Sequence, residues 1–385
     1  MAGLKPRPFK TEAKAELPIA NHQENAAYQH LLSIIRSVTE PATGERLLLS
    51  VMVPARNEAE CLGDCLGSLT AQSEPGFALG SEWEILCVDD ASMDATRAIA
   101  KSFAGVTLLS APLLAVGWTG KSASVWFAAE QARGEIFLFT DADTVHEPGS
   151  LRRAMHEMEK YKAAMLSYSP RQMVQGFWQR ALMPLVFSEL SILYPPAVVS
   201  DPASPVAAAN GQFLMVEREA YFKAGGHQAV AATVLEDVAL ARRFKRAGMA
   251  IRFRYAPDAV AARMYRSLSA MVEGWTKNLA TLFPLPLLLA TMRLLDFGLL
   301  AGIPLLLWLL PHIMLLATMQ RYALVLVWTW VLFRYFRRVA KSNFSVGDCV
   351  LSIAGLPLFC ALLIRSWMHH HLRRRVSWKG REYSA

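Results

Sequence analysis

Residues 297–320, FGLLAGIPLLLWLLPHIMLLATMQ, contain no Asp, Glu, Lys or Arg. A helix of about 20 apolar residues crosses a hydrocarbon core of about 30 Å, so this run is long enough to span a bilayer. Two more apolar runs follow, YALVLVWTWVLF at 322–333 and CVLSIAGLPLFCALLI at 349–364. Basic segments follow both: RYFRRVAK after the first, RRRVSWKGR after the second. The excess of Lys and Arg on cytoplasmic flanks assigns both to the cytoplasmic side. Both assignments cannot hold if 349–364 crosses once. Either that run re-enters around Gly355 and Pro357, or one side is wrong. FPLPLLLA at 283–290 is too short to span alone and is expected in the interface.

The first two thirds of the chain read differently. LLLSVMV (47–53), EILCVDD (84–90), VTLLSAP (106–112) and EIFLFTDAD (135–143) have the composition of strands. Stretches 58–72, 92–103, 122–132 and 148–160 read as helices between them. This alternation predicts an α/β domain with a mostly parallel sheet, which binds ligands beyond the carboxyl ends of its strands. Residues 1–46 are polar, with one short amphipathic stretch from Tyr28 to Val38. The expected order is a polar segment (1–46), an α/β domain (47–265), interfacial helices (266–295), transmembrane helices (296–366) and a basic tail (367–385).

Charge and cysteine content narrow the class. Charged residues make up only 19% of the 385, against about 25% in ordinary soluble domains. The net charge of +8 suits an anionic membrane or a nucleotide diphosphate. The cations cluster beside apolar runs, where lipid explains them better than nucleic acid does. Five cysteines are too few for a disulfide scaffold, and Cys61 and Cys65 have no second pair at zinc-site spacing. The first residues, MAGLKPRPFKTEAKAELP, carry no apolar core of a secretory signal. The polar half is therefore expected in the cytoplasm.

The polar residues collect where the strands should end. Asp141 and Asp143 are two carboxylates two residues apart, a spacing that puts both on one side of a strand. Such a pair holds a hard divalent cation and, through it, a diphosphate; the plainer role is a helix cap or loop. Asp89 and Asp90 end a second strand, and Ser92 or Asp94 is placed to cap the next helix. Asp90 would face the same crevice, accepting from a ribose hydroxyl or a base N–H. VPARNEAE (53–60) ends the first strand, and Asn57 and Glu58 fall at the expected start of a helix.

GWTGKSAS (117–124) approaches a phosphate loop but has Ala115 where the first glycine belongs. Lys121 remains available to a phosphate as a simple cation. LEDVALARRFKRAG (235–248) opens a helix with Glu236 and Asp237 and closes it at Gly248. In a crevice one of those acids suits a general base. Arg263, Arg266, Trp275 and Lys277 are expected on an interfacial helix, where aromatic anchoring and snorkelling explain them equally well. His369–His371 beside Arg373–Arg375 reads as a basic patch for anionic lipid rather than a metal site.

VPARNE, VDDASMD, GKS, DAD, ED and GWTK, in this order, resemble the inverting family 2 glycosyltransferases of the GT-A fold over about residues 47–280. GWTGKS, FRYAPDAVAARMYRS, EGWTKN and VSWKGREY are similar to the branch that holds the diaponeurosporenoate (carotenoid) and hopanoid lipid glycosyltransferases. The resemblance implies a membrane-bound hexosyltransferase at the cytoplasmic face of a bacterial-type inner membrane. It would move a sugar from a nucleotide sugar, UDP-linked, to a lipid or other apolar acceptor.

It also implies roles. Pro54, Ala55, Asn57, Glu58 and Asp90 match the uridine site, and Asp141 and Asp143 the Mg²⁺ or Mn²⁺ ligands on the diphosphate. Gly211 and Gln212 match the meeting point of donor sugar and acceptor, and Asp237 the base. Trp275 and Lys277 stand where processive relatives carry Q-x-x-R-W. That motif is missing, which argues against the alternative of a polysaccharide synthase. A non-enzymatic scaffold with a relic fold would have lost its acids, yet Asp143 and Asp237 are present.

Overall fold

The computed structural model describes residues 46–309, 318–373, 375–378 and 381–384. The amphipathic stretch from Tyr28 to Val38 lies outside these residues. The described α/β region runs β1 (Leu47–Ala55), α1 (Leu62–Thr70), β2 (Trp83–Asp89), α2 (Thr96–Ser102), β3 (Val106–Ser110), α3 (Gly120–Gln131), β4 (Gly134–Phe139), β5 (Thr144–His146) and α4 (Ser150–Tyr161). It continues through β6 (Met165–Ser169), β7 (Arg171–Gln172), α5 (Gly176–Leu193), α6 (Pro196–Ser200), β8 (Leu214–Glu217), α7 (Arg218–Lys223), α8 (Glu236–Arg246), β9 (Ile251–Tyr255) and β10 (Val260–Ala262).

Seven strands form one sheet in the order β3-β2-β1-β4-β8-β6-β9. The first four are mutually parallel, β6 and β9 are parallel, and β8 runs antiparallel to β4 and β6. The fold is thus α/β with a mostly parallel sheet. Its central strands are apolar on both faces, as a sheet covered on both sides requires. Leu49, Val51 and Val53 pack under α1 and α4, while Met52 faces α3 and α8. β5, β10 and β7 make a smaller sheet beside the first.

Register decides where the polar residues fall. Ala55 pairs with Asp89 and Met52 with Phe139, so the carboxyl ends of β1, β2 and β4 lie side by side. β4 stops at Phe139, earlier than expected, and Asp141 and Asp143 sit in the turn beyond it. Thr144 closes that turn with its backbone N–H and its hydroxyl both donating to the Asp141 carbonyl. The two carboxylates owe their common direction to this turn, not to strand alternation. Asn57 and Glu58 likewise precede α1 by several residues instead of opening it.

The C-terminal part comprises α9 (Leu268–Leu282), α10 (Pro286–Leu309), α11 (Thr318–Val339), α12 (Val346–Met368) and a hairpin of β11 (Arg375–Trp378) and β12 (Arg381–Ser384). Three expectations change here. Residues 283–290 are not a separate interfacial piece, because α10 begins at Pro286 and takes in residues assigned to the interface. RYFRRV is not a flank but the last turns of α11. Residues 349–364 do not re-enter: α12 runs unbroken through Gly355 and Pro357. Gly355 is needed for packing, since a Cβ there would overlap the carbonyl of Ala181 on α5. Among the described residues, α10 and α12 have the length and hydropathy of membrane spans.

Candidate active site

A cavity of about 530 Å³ opens beyond the carboxyl ends of β1, β2 and β4. Pro54 and Ala55 line it as the last residues of β1, with Asn57 and Glu58 just after them. Asn57 has φ +52°, and its side chain accepts from the Met93 N–H while its own N–H donates to Ser92 Oγ. It therefore shapes the rim by tying two strand-end loops together. Asp94 accepts from the backbone N–H of Thr96, at the start of α2. Asp89 points away, to Arg97 and the Ser92 N–H. Asp90 lines the cavity and is gripped from two sides. Arg381 on β12 makes two bonds to its carboxylate, 2.5 and 2.9 Å, and Arg56 donates to its carbonyl at 2.7 Å.

Lys121 stands at the centre. Thr119 caps α3 by accepting from Ser122 N–H, which fixes Lys121 in the first turn. Its ammonium lies 2.7 Å from Asp141 and 3.0 Å from Glu236. Burial works against its charge, but Asp141, Glu236 and Asp237 outweigh that and hold it well above the usual lysine range. The same ion pair holds Glu236 below the carboxylate range in spite of burial. No strand leads tightly into this helix, since β3 ends at Ser110, and the segment is not a phosphate loop.

Asp237 differs from its neighbour. Its Oδ2 accepts from Gly211 N–H at 2.8 Å and its Oδ1 from Val238 N–H at 2.7 Å. Burial, then the charge on Glu236, push its pKa up to about 6, against the opposing pull of Lys121 and the two backbone donors. A carboxylate so poised is ionised at neutral pH and takes a proton more readily than an ordinary one. A Cβ on Gly211 would stand 2.8 Å from Lys121 Nζ, so a side chain there would displace the ammonium from its ion pairs. Gln212 is fixed by its N–H to Asn210 Oδ1 and by Gln172.

The opposite wall comes from the helices. Arg263 and Arg266 precede α9; Arg263 donates to Gln175 and Arg266 pairs with Glu60. Trp275 is no interfacial anchor: only 2% exposed, it packs among Tyr265 and Phe187. Lys277 lines the cavity and burial lowers its pKa. Beyond the polar floor, Phe187, Leu190 and Tyr194 at the end of α5 face Phe253, Tyr255 and Leu282 across an apolar recess.

Residues 50–221 match the model of Glycosyl transferase family 2. This stretch is a family 2 glycosyltransferase domain. A 4,4'-diaponeurosporenoate glycosyltransferase of Staphylococcus aureus is 25% identical over 343 residues, 87% of this chain and 88% of that relative. A mannosyltransferase from Pyrobaculum calidifontis, solved in complex with GDP-Man and Mn2+, aligns over 91% of this chain and 96% of its own. That likeness, with a TM-score of 0.51 and 17% identity, establishes the shared GT-A fold.

In this glycosyltransferase the residues assigned from the resemblance to base, donor and metal all line this cavity, from Pro54 at its rim to Lys277 on its far wall. Asp141 and Asp143 both reach it, and two carboxylates are the hard oxygen donors that suit Mg²⁺ or Mn²⁺. No third carboxylate, His or Cys joins them among the described residues, so diphosphate and water would complete the shell. The cysteines are buried and free, and burial pushes the Cys65 thiol up to about 12. His370 bonds the Lys277 carbonyl, and no metal cluster forms there among the described residues. Sequence reasoning missed the grip of Arg56 and Arg381 on Asp90. Arg56 sits inside VPARNE and was open to notice, whereas Arg381 lies 291 residues from its partner with no local signal.

Proposed function

We propose that this glycosyltransferase moves a sugar from a nucleoside diphosphate sugar, of the UDP class, to an apolar acceptor at a membrane face, with inversion at the anomeric carbon. The observation that carries the reading is the position of Asp237. It lines the cavity within electrostatic reach of both Lys121 and Tyr194 of the recess, held by two backbone N–H groups.

In a single displacement one base suffices. Asp237 takes the proton of the acceptor group as its oxygen attacks the anomeric carbon from the recess side. The bond to the diphosphate breaks on the opposite side, and the diphosphate departs with the electron pair. Lys121, held beside Asp141, would offset that developing charge, and fixed charges of this kind lower the barrier because they need no reorganisation. Asp141 and Asp143 would hold a divalent cation, which supplies further neutralisation of the diphosphate. Pro54, Ala55, Asn57, Glu58 and Asp90 would bound the nucleoside. Gly211, Gln212, Trp275 and Lys277 would bound the sugar and the acceptor mouth.

The recess of Phe187, Leu190 and Phe253 supports an apolar acceptor, as does the S. aureus relative, which is named for a carotenoid acid. The GDP-Man and Mn2+ in the P. calidifontis enzyme support a nucleotide sugar and a divalent cation in general.

The test is calorimetric titration of detergent-purified protein with UDP and GDP, with and without Mn²⁺. Metal-dependent UDP binding that vanishes in Asp143→Ala is the expected result. Folded protein that binds neither nucleotide would overturn the reading.

A further inference from the structure

The two described helices that are long and apolar enough to span are not equally exposed. α12 has a mean hydropathy of 2.0 against 1.7 for α10, yet half of its most apolar stretch is buried in the protein, against 22% for α10. Leu356, Phe359 and Leu363 are enclosed by α5, α9 and α10. On α10 and α11 the large apolar side chains point outward instead, among them Leu305, Trp308, Leu326, Trp330 and Phe333.

The two ends of α12 are both tied to the catalytic domain. At its start Asp348 pairs with Arg180 at 2.6 Å, on the first turns of α5. Those turns are bonded in place by Gln179, whose amide donates to the Tyr265 carbonyl on the cavity wall. At its end Ser366 accepts from Ala280 N–H on α9, and His370 meets the Lys277 carbonyl. The chain then enters the hairpin whose Arg381 holds Asp90 inside the cavity. A helix with both ends fastened to one globular domain does not carry the chain across a bilayer.

α10 and α11 are an antiparallel pair: Trp328 donates to the Leu300 carbonyl and Arg334 pairs with Asp296. At the base of the pair lies a closed layer of charge, Arg293 and Asp296 with Glu189 of α5 and Arg338. Charges of this kind belong at headgroup depth, not in hydrocarbon. Arg334, Arg337 and Lys341 are exposed at the same level and suit anionic headgroups. Beyond that layer residues 297–309 carry no charge.

We propose that the α10–α11 pair is the element inserted in lipid, entering and leaving on the catalytic face, and that α12 stays docked to the domain. The chain then crosses an even number of times, and the C-terminal tail remains with the active site. This also resolves the conflict between the two basic segments, which come to lie on the same side. The inference rests on the reading of this enzyme as membrane-bound.

The test uses the full chain with one reporter cysteine at Lys101, on the catalytic domain, or at Ser384, in the tail. An impermeant maleimide is applied to sealed membrane vesicles of either orientation. The expected result is labelling of Lys101→Cys and Ser384→Cys from the same face and loss of both signals from the other. Labelling from opposite faces overturns the inference while leaving the membrane reading intact. Protein that stays soluble and never sediments with the vesicles overturns both.

Discussion

Two clusters of charge are buried in this molecule, and they are built differently. In the cavity Lys121 faces three carboxylates, those of Asp141, Glu236 and Asp237. At the base of the helical pair three arginines, Arg293, Arg334 and Arg338, face two carboxylates, Glu189 and Asp296. The first cluster carries surplus negative charge and opens on a cavity, so it is incomplete without a cationic or proton-bearing guest. In the second both carboxylates and Arg293 are buried and each carboxylate touches two arginines, with the more exposed Arg334 and Arg338 at its edge. Burial of charge is costly unless partners are supplied. A cluster left open at that cost is one the chemistry uses; a closed one fixes how elements dock.

The comparison is sharpened most by removing the base. Asp237→Asn keeps the size of the side chain and, through its one amide oxygen, one of the two backbone bonds, but it cannot accept a proton. Turnover is expected to fall by about 100-fold or more, with nucleotide affinity unchanged by calorimetry. Unchanged turnover would take Asp237 out of the reaction. Asp296→Ala is the counterpart in the closed cluster. It takes from buried Arg293 the nearer of its two carboxylates, leaving Glu189, and is expected to cost about 3 kcal/mol of stability. Thermal unfolding in detergent reads that loss, while the rate per folded molecule should hold. If the rate fell and the stability held, the division between the two clusters would fail.

Acid gives a smaller and graded effect. Asp237 must be ionised to act, so turnover is expected to fall about tenfold per unit as pH drops below about 6. Stability moves in the same direction for another reason. Burial lowers the pKa of His146 to about 3 and of His227 to about 4. The unfolded chain takes up these protons from about pH 6.5 downward and the folded chain does not. Each imidazole therefore costs about 1.4 kcal/mol per unit between pH 6.5 and its folded value. Separating the two requires rates and unfolding measured on the same samples; a turnover profile flat to pH 5 would remove Asp237 as the titrating base.

Least is expected from Arg381→Ala. It takes one cation from the nucleoside end of the cavity and should raise the donor KM about tenfold with a smaller change in kcat. A lowered KM would mean that Arg381 competes with the donor for Asp90.

Much of the catalytic half was legible in the sequence. Alternating apolar runs fix strands and helices locally, and short polar motifs at strand ends mark the crevice, because a parallel sheet brings those ends together whatever the loops do. Asp90 and Asp141 were read this way, and Asp237 from the opening of its helix and the family resemblance. The local geometry was less legible. The DAD pair is held by a turn that Thr144 closes, and Trp275 is a packing residue beneath the cavity instead of an anchor in lipid.

Composition by itself determined that this chain pairs an α/β domain with apolar helices, since periodicity and hydropathy are local properties. Only the tertiary structure decided which apolar helix is covered by protein and which keeps its apolar side chains exposed. Hydropathy counts apolar atoms without saying what buries them, so α12 and α10 look alike until Gly355 is seen against Ala181. Only the tertiary structure, likewise, brings Arg381 to Asp90. That contact joins the two ends of the enzyme through a hairpin and a helix, and no spacing in the sequence encodes it.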